Sequence, residues 1–568
     1  MIEELITAFA QMLAPWTLFL MAAGVLGGLF VGAIPGFSAT MAIVIILPLT
    51  YSLGTYTGIG VMIAVTIGGL SGGLLSAMLI GIPGTPASVA TTFDGLPMVR
   101  AGHQGRALGL GIWASCIGGL LSGVALIVLA PYLGRIGLEI GPWGYFMMVM
   151  FALTITASLS GDAMIKGMLA AAFGVLAASV GEEQVNGVSR LTYGNDALLS
   201  GFDFLPVLIG VFAFSQLLND MPTRQIARRS LSTGQTEVST RIPHLWAIKE
   251  LFRRWKTTLK SSAIGLFVGI IPAAGASISN ILAYDHAKRT SKNPEEFGKG
   301  AVEGIIAPEA ANNATQGGSL LVLMALGIPG DAVAAVLLAA LIIHDVAPGP
   351  TFIANHADVA YAIFVAFILA HLLMVVFQVV ALRFFVRIVR IPIYILASIV
   401  LFYCALGVFA VNNGMYDVWV MIAFGIAGYL MSVLGYPIAP FVLGIVLGDI
   451  AEVNLIRALS VSDDYWMFLS RPWSLLFLSL AIMSILLVVL RQLKTSPLTA
   501  TLLTAPFILA ASWALFQMPG LVRPGLSIVI AIIIVVQVYL AIRRRHKAAT
   551  TWDPASLHTP PTKVDKKK

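Results

Sequence analysis

Two apolar stretches of this chain are broken at the same place by the same residues. The first break is Gly81-Ile82-Pro83-Gly84-Thr85-Pro86-Ala87-Ser88, and the second is Gly327-Ile328-Pro329-Gly330-Asp331-Ala332. Each follows a glycine-rich lead-in, Gly72-Gly73-Leu74-Leu75 in one case and Gly317-Gly318-Ser319-Leu320 in the other. A second matched pair lies upstream of these, Gly32-Ala33-Ile34-Pro35-Gly36-Phe37-Ser38-Ala39 against Gly269-Ile270-Ile271-Pro272-Ala273-Ala274-Gly275-Ala276-Ser277. Two motifs in one order, repeated roughly 240 residues apart, predict a duplicated unit. Proline removes a backbone donor and glycine tolerates the reversed dihedrals needed to leave one helix and begin another, so each motif reads as a helix break.

The surroundings place those breaks in a membrane. Of the 568 residues, 58% are hydrophobic and only 11% charged, with a mean hydropathy of +0.91, which is too apolar for a water-soluble domain. Apolar runs recur along the length and predict roughly a dozen spans or more, several of them half-spans or hairpins. The expected fold is therefore all-α and polytopic, built as a duplicated inverted repeat with broken helices. Met1-Ile2-Glu3-Glu4-Leu5 has neither a basic flank nor a small-residue cleavage site, so the first segment is expected to be retained.

The net charge of +7 is explained by loops between apolar segments, not by a nucleic-acid surface. Arg224, Arg228, Arg229, Arg241, Lys249, Arg253, Arg254, Lys256 and Lys260 share one connection, and Arg543, Arg544, Arg545 and Lys547 follow the last apolar run. Both are expected in the cytoplasm. The resulting division is a first transmembrane half at 1–222, a basic cytoplasmic connection at 223–262, a second half at 263–495, further membrane segments at 496–545 and a disordered cytoplasmic tail at 546–568.

A break at membrane depth leaves unpaired N–H groups at the start of the next half-helix, where the dipole is positive, and hydrocarbon cannot satisfy them. Such helix starts suit anions. The candidate binding residues are accordingly Gly36, Ser38, Thr40, Gly84, Thr85, Ser88, Gly275, Ser277 and Gly330; Ser38 and Thr40 serve equally well as helix caps. Downstream, Glu303, Glu309, Asn312, Asn313 and Gln316 form the densest polar cluster in any apolar region, which helix–helix hydrogen bonding or a substrate or ion site would explain. Asn312 and Asn313 join the candidates. Asp94 and Asp331 are candidates for holding a coupling cation, with turn and capping roles as the alternatives.

No pattern supports enzymology: the histidines are scattered, Cys116 and Cys404 sit singly in apolar segments, and there is no Walker loop or nucleophile elbow. No cofactor is expected beyond a coupling cation. Transport without an ATP site must draw on an ion gradient; an anion channel and a membrane-embedded enzyme are the competing classes.

The ordered motifs resemble a known family. Gly-Ala-Ile-Pro-Gly at 32–36, Pro-Gly-Thr-Pro-Ala-Ser at 83–88 with Asp94-Gly95-Leu96-Pro97-Met98, Arg190-Leu191-Thr192-Tyr193-Gly194, the run from Tyr284 through Pro308-Glu309-Ala310-Ala311-Asn312-Asn313-Ala314 to Gly327-Ile328-Pro329-Gly330, and Ser470-Arg471-Pro472 are similar to those of the large membrane subunit of the tripartite tricarboxylate transporters, the TctA family. The likeness runs over about residues 15–490. It implies uptake of citrate or another di- or tricarboxylate across a bacterial inner membrane, driven by sodium ions or protons. It also implies two partners, a periplasmic solute-binding protein and a small four-span membrane subunit.

Overall fold

The computed structural model describes residues 2–34, 37–160, 163–183, 185–220, 241–272, 274–389, 393–493, 495 and 497–518. Gly36, Asp162, the basic residues Arg224, Arg228 and Arg229, and everything from residue 519 onward lie outside the described residues. The chain divides into two units, Met1–Asp463 and Asp464–Lys568.

Alternating apolar runs and Pro/Gly breaks cut the first unit into helices of very unequal length. They are α1 (Ile2–Met12), α2 (Pro15–Ala33), α3 (Ala39–Thr50), α4 (Thr55–Ile80), α5 (Thr91–Arg100), α6 (Gln104–Leu159), α7 (Met164–Ala178) and α8, which runs through Phe204–Leu208, the π-helical Ile209–Phe214 and Ser215–Asp220. Then come α9 (His244–Arg253), α10 (Trp255–Ile270), α11 (Gly275–Thr290), α12 (Val302–Leu326), α13 (Ala332–Ile343) and α14 (Ala357–Val389). The unit closes with Ile393–Asn412, Met415–Val433 and Ile438–Val461. A two-stranded hairpin pairs Gly181–Glu182 with Ser189–Arg190.

Seven helices among the described residues are long and apolar enough to cross a membrane, and the remaining apolar helices span 10–17 residues. The shorter ones include α3 and α13, the helices that restart after the breaks at 35–36 and 329–330. Helix α6 is itself two helices joined at Gly141, whose φ of 67° takes it out of the helical region.

The broken stretches fold alike, down to individual contacts. Helices α2 and α10 both end in an extended isoleucine, Ile34 (φ −83°, ψ 115°) and Ile271 (φ −82°, ψ 120°). Each isoleucine N–H still reaches three residues back, to Val31 and to Val268, at 3.1 Å in both cases. Helices α4 and α12 both end in a left-handed glycine, Gly81 (φ 72°) and Gly327 (φ 74°). Backbones meet so closely that a Cβ on Gly28 or Gly32 of α2 would strike the carbonyls of Val65 and Gly69 on α4; a Cβ on Gly265 or Gly269 of α10 would strike those of Ala311 and Thr315 on α12. The halves also interlock. Helix α3, restarting after the first break of the first half, packs on α13, restarting after the second break of the second half, while the Pro86–Ser88 turn packs on α11.

The described part of the basic connection lies on the start of α6. Trp113 Nε1 donates to His244 Nδ1 at 3.1 Å, and the Arg106 guanidinium stands 5.1 Å from the centre of the Trp246 ring. In the second unit Pro472–Gln492 and Pro497–Gln517 pack against each other.

Candidate functional site

Helix α12 is too polar for lipid and is not exposed to it: every residue from Gly304 to Ala325 is buried. Its hydrogen-bonding side chains therefore need partners within the protein, and those partners come from both halves. Glu309 accepts from Thr91 Oγ1 at 2.5 Å and from Ser115 Oγ at 2.8 Å, joining α12 to α5 and α6. Asn313 Oδ1 accepts from Ser71 on α4 at 3.0 Å, and Gln378 on α14 donates to the Ser71 carbonyl at 2.9 Å. Thr315 donates to Ser279 on α11 at 2.6 Å. Gln316 donates to Asp331 at 3.1 Å. Asn312 is the exception: it is 0% exposed, yet neither its amide nitrogen nor its carbonyl oxygen has a hydrogen-bond partner.

The break of the first half is built from small groups. Gly84 lies where a Cβ would meet Ser76 Oγ at 2.6 Å and the Gly32 carbonyl. Thr85 and Ser88, both buried, share a hydrogen bond of 3.2 Å, and the Gly73 backbone faces both hydroxyls. Asn280 on α11 reaches this turn, donating from Nδ2 to the Ala87 carbonyl while its own Oδ1 is left without a partner.

The break of the second half is built in the same way, but a carboxylate replaces the threonine. A Cβ on Gly330 would meet Ser319 Oγ at 2.6 Å and the Gly269 carbonyl. Asp331 caps α13, accepting from the Ala334 N–H at 2.8 Å and from Ser319 at 3.3 Å. Gly275, with φ 57°, stands against it. The start of α13 is thus closed by its own aspartate and that of α3 by Ser38, which accepts from the Met41 N–H at 3.1 Å. Helix α11 begins at Gly275 without a side-chain cap, as α5 does at Thr91.

Asp94 is held more completely than any other carboxylate here. Oδ1 accepts from the N–H groups of Gly298, Gly300 and Ala301 at 2.9, 2.8 and 2.7 Å, and Oδ2 accepts from Tyr284 at 2.9 Å. The arrangement ties α5 of the first half to the loop that enters α12, with Phe93 and Phe297 edge-on to the Tyr284 ring.

The sequence candidates therefore separate. Ser88, with Thr85 bonded to it, belongs to the turn that packs on α11 and α12, while Gly84 lies against α2 and α4. Gly330 and Asp331 meet Ser319 of α12 with Gly275 against Asp331, Asn312 and Asn313 are buried on α12, and Thr40 is buried near the start of α3. Ser277 is on the exposed side of α11, whose buried positions are Ala276, Ser279, Asn280, Ala283, Tyr284 and Ala287. Asp94 lies at the entrance to α12. Sequence reasoning missed Ser71, Thr91, Ser115, Ser279 and Asn280. The spacing of Ser279, Asn280 and Ala283 at one helical face was the available signal for the last pair.

Two cavities open at the opposite ends of α12, which at 25 residues is about 37 Å long. One, of about 540 Å³, adjoins Gly327 and is lined by Glu182, Glu183, Asp203, Asp449 and Glu452, with Arg190 paired to Glu452. The other, of about 550 Å³, adjoins Glu303 and is lined by Arg253, Arg254, Lys256, Lys260 and Lys292. Glu303 itself accepts from Thr257 at 3.0 Å and from Ser291 at 3.1 Å.

Comparison with known proteins accords with this architecture. The model of the tripartite tricarboxylate transporter TctA family matches residues 18–443. The chain is 30% identical over 500 residues to an uncharacterized 52.8 kDa protein in the TAR-I ttuC' 3' region of Agrobacterium vitis, covering 87% of this chain and 97% of that protein. It is 32% identical over 232 residues to an uncharacterized protein in the TAR-II ttuC' 3' region of the same organism, covering 41% of this chain and 96% of that protein. No solved structure matches it.

Proposed function

The chain belongs to the tripartite tricarboxylate transporter TctA family, and from that membership we propose that it moves citrate or another di- or tricarboxylate across the bacterial inner membrane, driven by sodium ions or protons. The observation that carries the reading is the pairing of the two breaks. Helix α11 packs on the Pro86–Ser88 turn of the other half, where Asn280 donates to the Ala87 carbonyl, and its uncapped start lies against Asp331 at the second break, so one short helix links both breaks in a buried place. An anion bound there without a clamping arginine is held by dipoles and hydroxyls, and a co-bound cation would balance its charge.

The inverted relation of the two halves is part of the proposal. It is supported by the reciprocal packing of α3 on α13 and of the Pro86–Ser88 turn on α11. Such an arrangement suits alternating access, in which the buried cluster opens first to one cavity and then to the other. The cavity lined by Arg253, Lys256 and Lys260 belongs to the basic connection and is assigned to the cytoplasm. The acidic cavity at the other end of α12 then faces the periplasm. There Tyr193, 88% exposed on a left-handed backbone of φ 49°, offers a contact for a solute-binding protein. A small four-span subunit completes the complex.

Cysteine accessibility tests the two-sided arrangement. In intact cells, Lys292→Cys is expected to react with a membrane-impermeant maleimide only after the membrane is opened, whereas Leu338→Cys reacts from outside. Labelling of Lys292→Cys in sealed cells would invert the assignment, and free access to both from one side would favour a channel.

A further inference from the structure

Resting on the proposed role in ion-coupled uptake, we infer that Glu309, Thr91, Ser115 and Asn312 form the site of the coupling cation, a bound sodium ion or a proton. Three carboxylates are sunk in the core around α12, and two are well supplied with donors. Asp94 has three backbone N–H groups and a phenol; Asp331 has a backbone N–H, an amide and a hydroxyl. Glu309, 0% exposed, has two neutral hydroxyls, and no lysine, arginine or histidine pairs with it among the described residues. Thr91 opens α5, so the helix start contributes the equivalent of about half a positive charge and leaves the remainder uncompensated.

The second observation is independent of the carboxylate. Asn312 is three residues from Glu309 along α12, on the adjoining part of the same face, and both ends of its amide are buried without a hydrogen-bond partner in the protein. Each hydroxyl that donates to Glu309 keeps lone pairs. Two carboxylate oxygens, two hydroxyl oxygens and the Asn312 carbonyl therefore make an all-oxygen donor set, of the kind that hard cations take. If the occupant is a proton, it sits on one Glu309 oxygen and the resulting O–H donates to Asn312 Oδ1.

The position explains how occupancy would reach the substrate site. Thr91 lies three residues beyond Ser88, so a cation held by Thr91 and Glu309 also holds the Pro86–Ser88 turn where Asn280 meets it. Gly118 of α6 approaches the Ala310 backbone so closely that no Cβ fits, which fixes the height of Ser115 beside Glu309.

The test uses the purified complex and reads thermal unfolding. Sodium chloride is titrated against choline chloride at constant pH and ionic strength, and pH is varied separately without sodium. A sodium-dependent rise in Tm that is lost in Glu309→Gln and shifted at least several-fold to higher sodium in Ser115→Ala and Asn312→Ala establishes a sodium site. A pH-dependent Tm change confined to the sodium-free series and lost in Glu309→Gln establishes a proton site. If Glu309→Gln does not fold, the two alanine variants decide between the same outcomes. The inference is overturned if the wild-type complex responds to neither ion, or if its response is unaltered in the variants. Cation binding without carboxylate uptake would instead retire the transport reading and leave the site standing.

Discussion

Gly330 lies against the carbonyl of Gly269 with no room for a Cβ between them. The same relation holds between Gly84 and Gly32 in the other half, and in each case a serine hydroxyl, Ser319 or Ser76, stands 2.6 Å from where that Cβ would be. Gly330→Leu and Gly84→Leu are expected to abolish carboxylate uptake while the protein still inserts, since the obstructed atoms are backbone and cannot rotate away. Uptake and membrane content of each variant, measured together, check this; wild-type uptake in either would show that its break is not the working one.

Asp94 holds the entry to α12 through three N–H groups and one phenol. Asp94→Ala would strand those donors in a buried site and is expected to destabilise the protein by about 3–5 kcal/mol. Asp94→Asn, which keeps one acceptor oxygen, should lose less. Unfolding midpoints of the two variants order the effects, and an unaltered midpoint for Asp94→Ala would mean the loop is held by other contacts.

The two polar residues of α11 behave differently. Asn280→Ala removes the bridge to the Ala87 carbonyl and is expected to weaken substrate binding by about 1–3 kcal/mol. Ser277→Ala, on the exposed side, is expected to leave binding unchanged. Isothermal titration with citrate and with shorter dicarboxylates measures both, and equal losses in the two variants would contradict the facing of this helix.

That contrast marks the boundary between local and tertiary information. Proline and glycine act on their own turn of backbone, so the breaks at Pro83-Gly84 and Pro329-Gly330, and the likeness between them, are legible in the amino-acid order alone. The facing of a short helix is set by its neighbours. Ser277 and Ser279 differ by two positions, and only the packing of α11 on α12 and on the Pro86–Ser88 turn shows that the second one points inward. Ser71, Thr91 and Ser115 were hidden for another reason. A lone hydroxyl in an apolar helix ordinarily bonds its own preceding turn, as Thr66 does with the Met62 carbonyl at 2.8 Å. Nothing in the local sequence separates it from one that reaches a distant carboxylate. Asp331 combined both readings, since it caps α13 and also receives Gln316.

The hairpin loop that carries Glu183 should respond to pH. Desolvation is the largest single influence on the Glu183 carboxyl and acts upward, but the backbone N–H groups of Asn186 and Val185, each at 2.6 Å, hold it below its ordinary value with help from the nearby Arg190 charge. A carboxyl lowered in the folded state stabilises the loop above the ordinary carboxylate range, and that contribution disappears as pH falls through the lowered value. Exchange protection of the Val185 and Asn186 amides is expected to hold from neutrality to that range, then to fall below it; in Glu183→Gln it should already be reduced at neutral pH. Protection independent of pH in the native chain would contradict the assignment.

The central claim is coupled carriage of a carboxylate by the whole complex. Proteoliposomes holding this chain and the proposed small subunit, supplied with the proposed solute-binding protein and labelled citrate or another di- or tricarboxylate, are predicted to accumulate label only under an inward sodium or proton gradient. Label entering at the same rate after ionophores collapse both gradients would contradict the account.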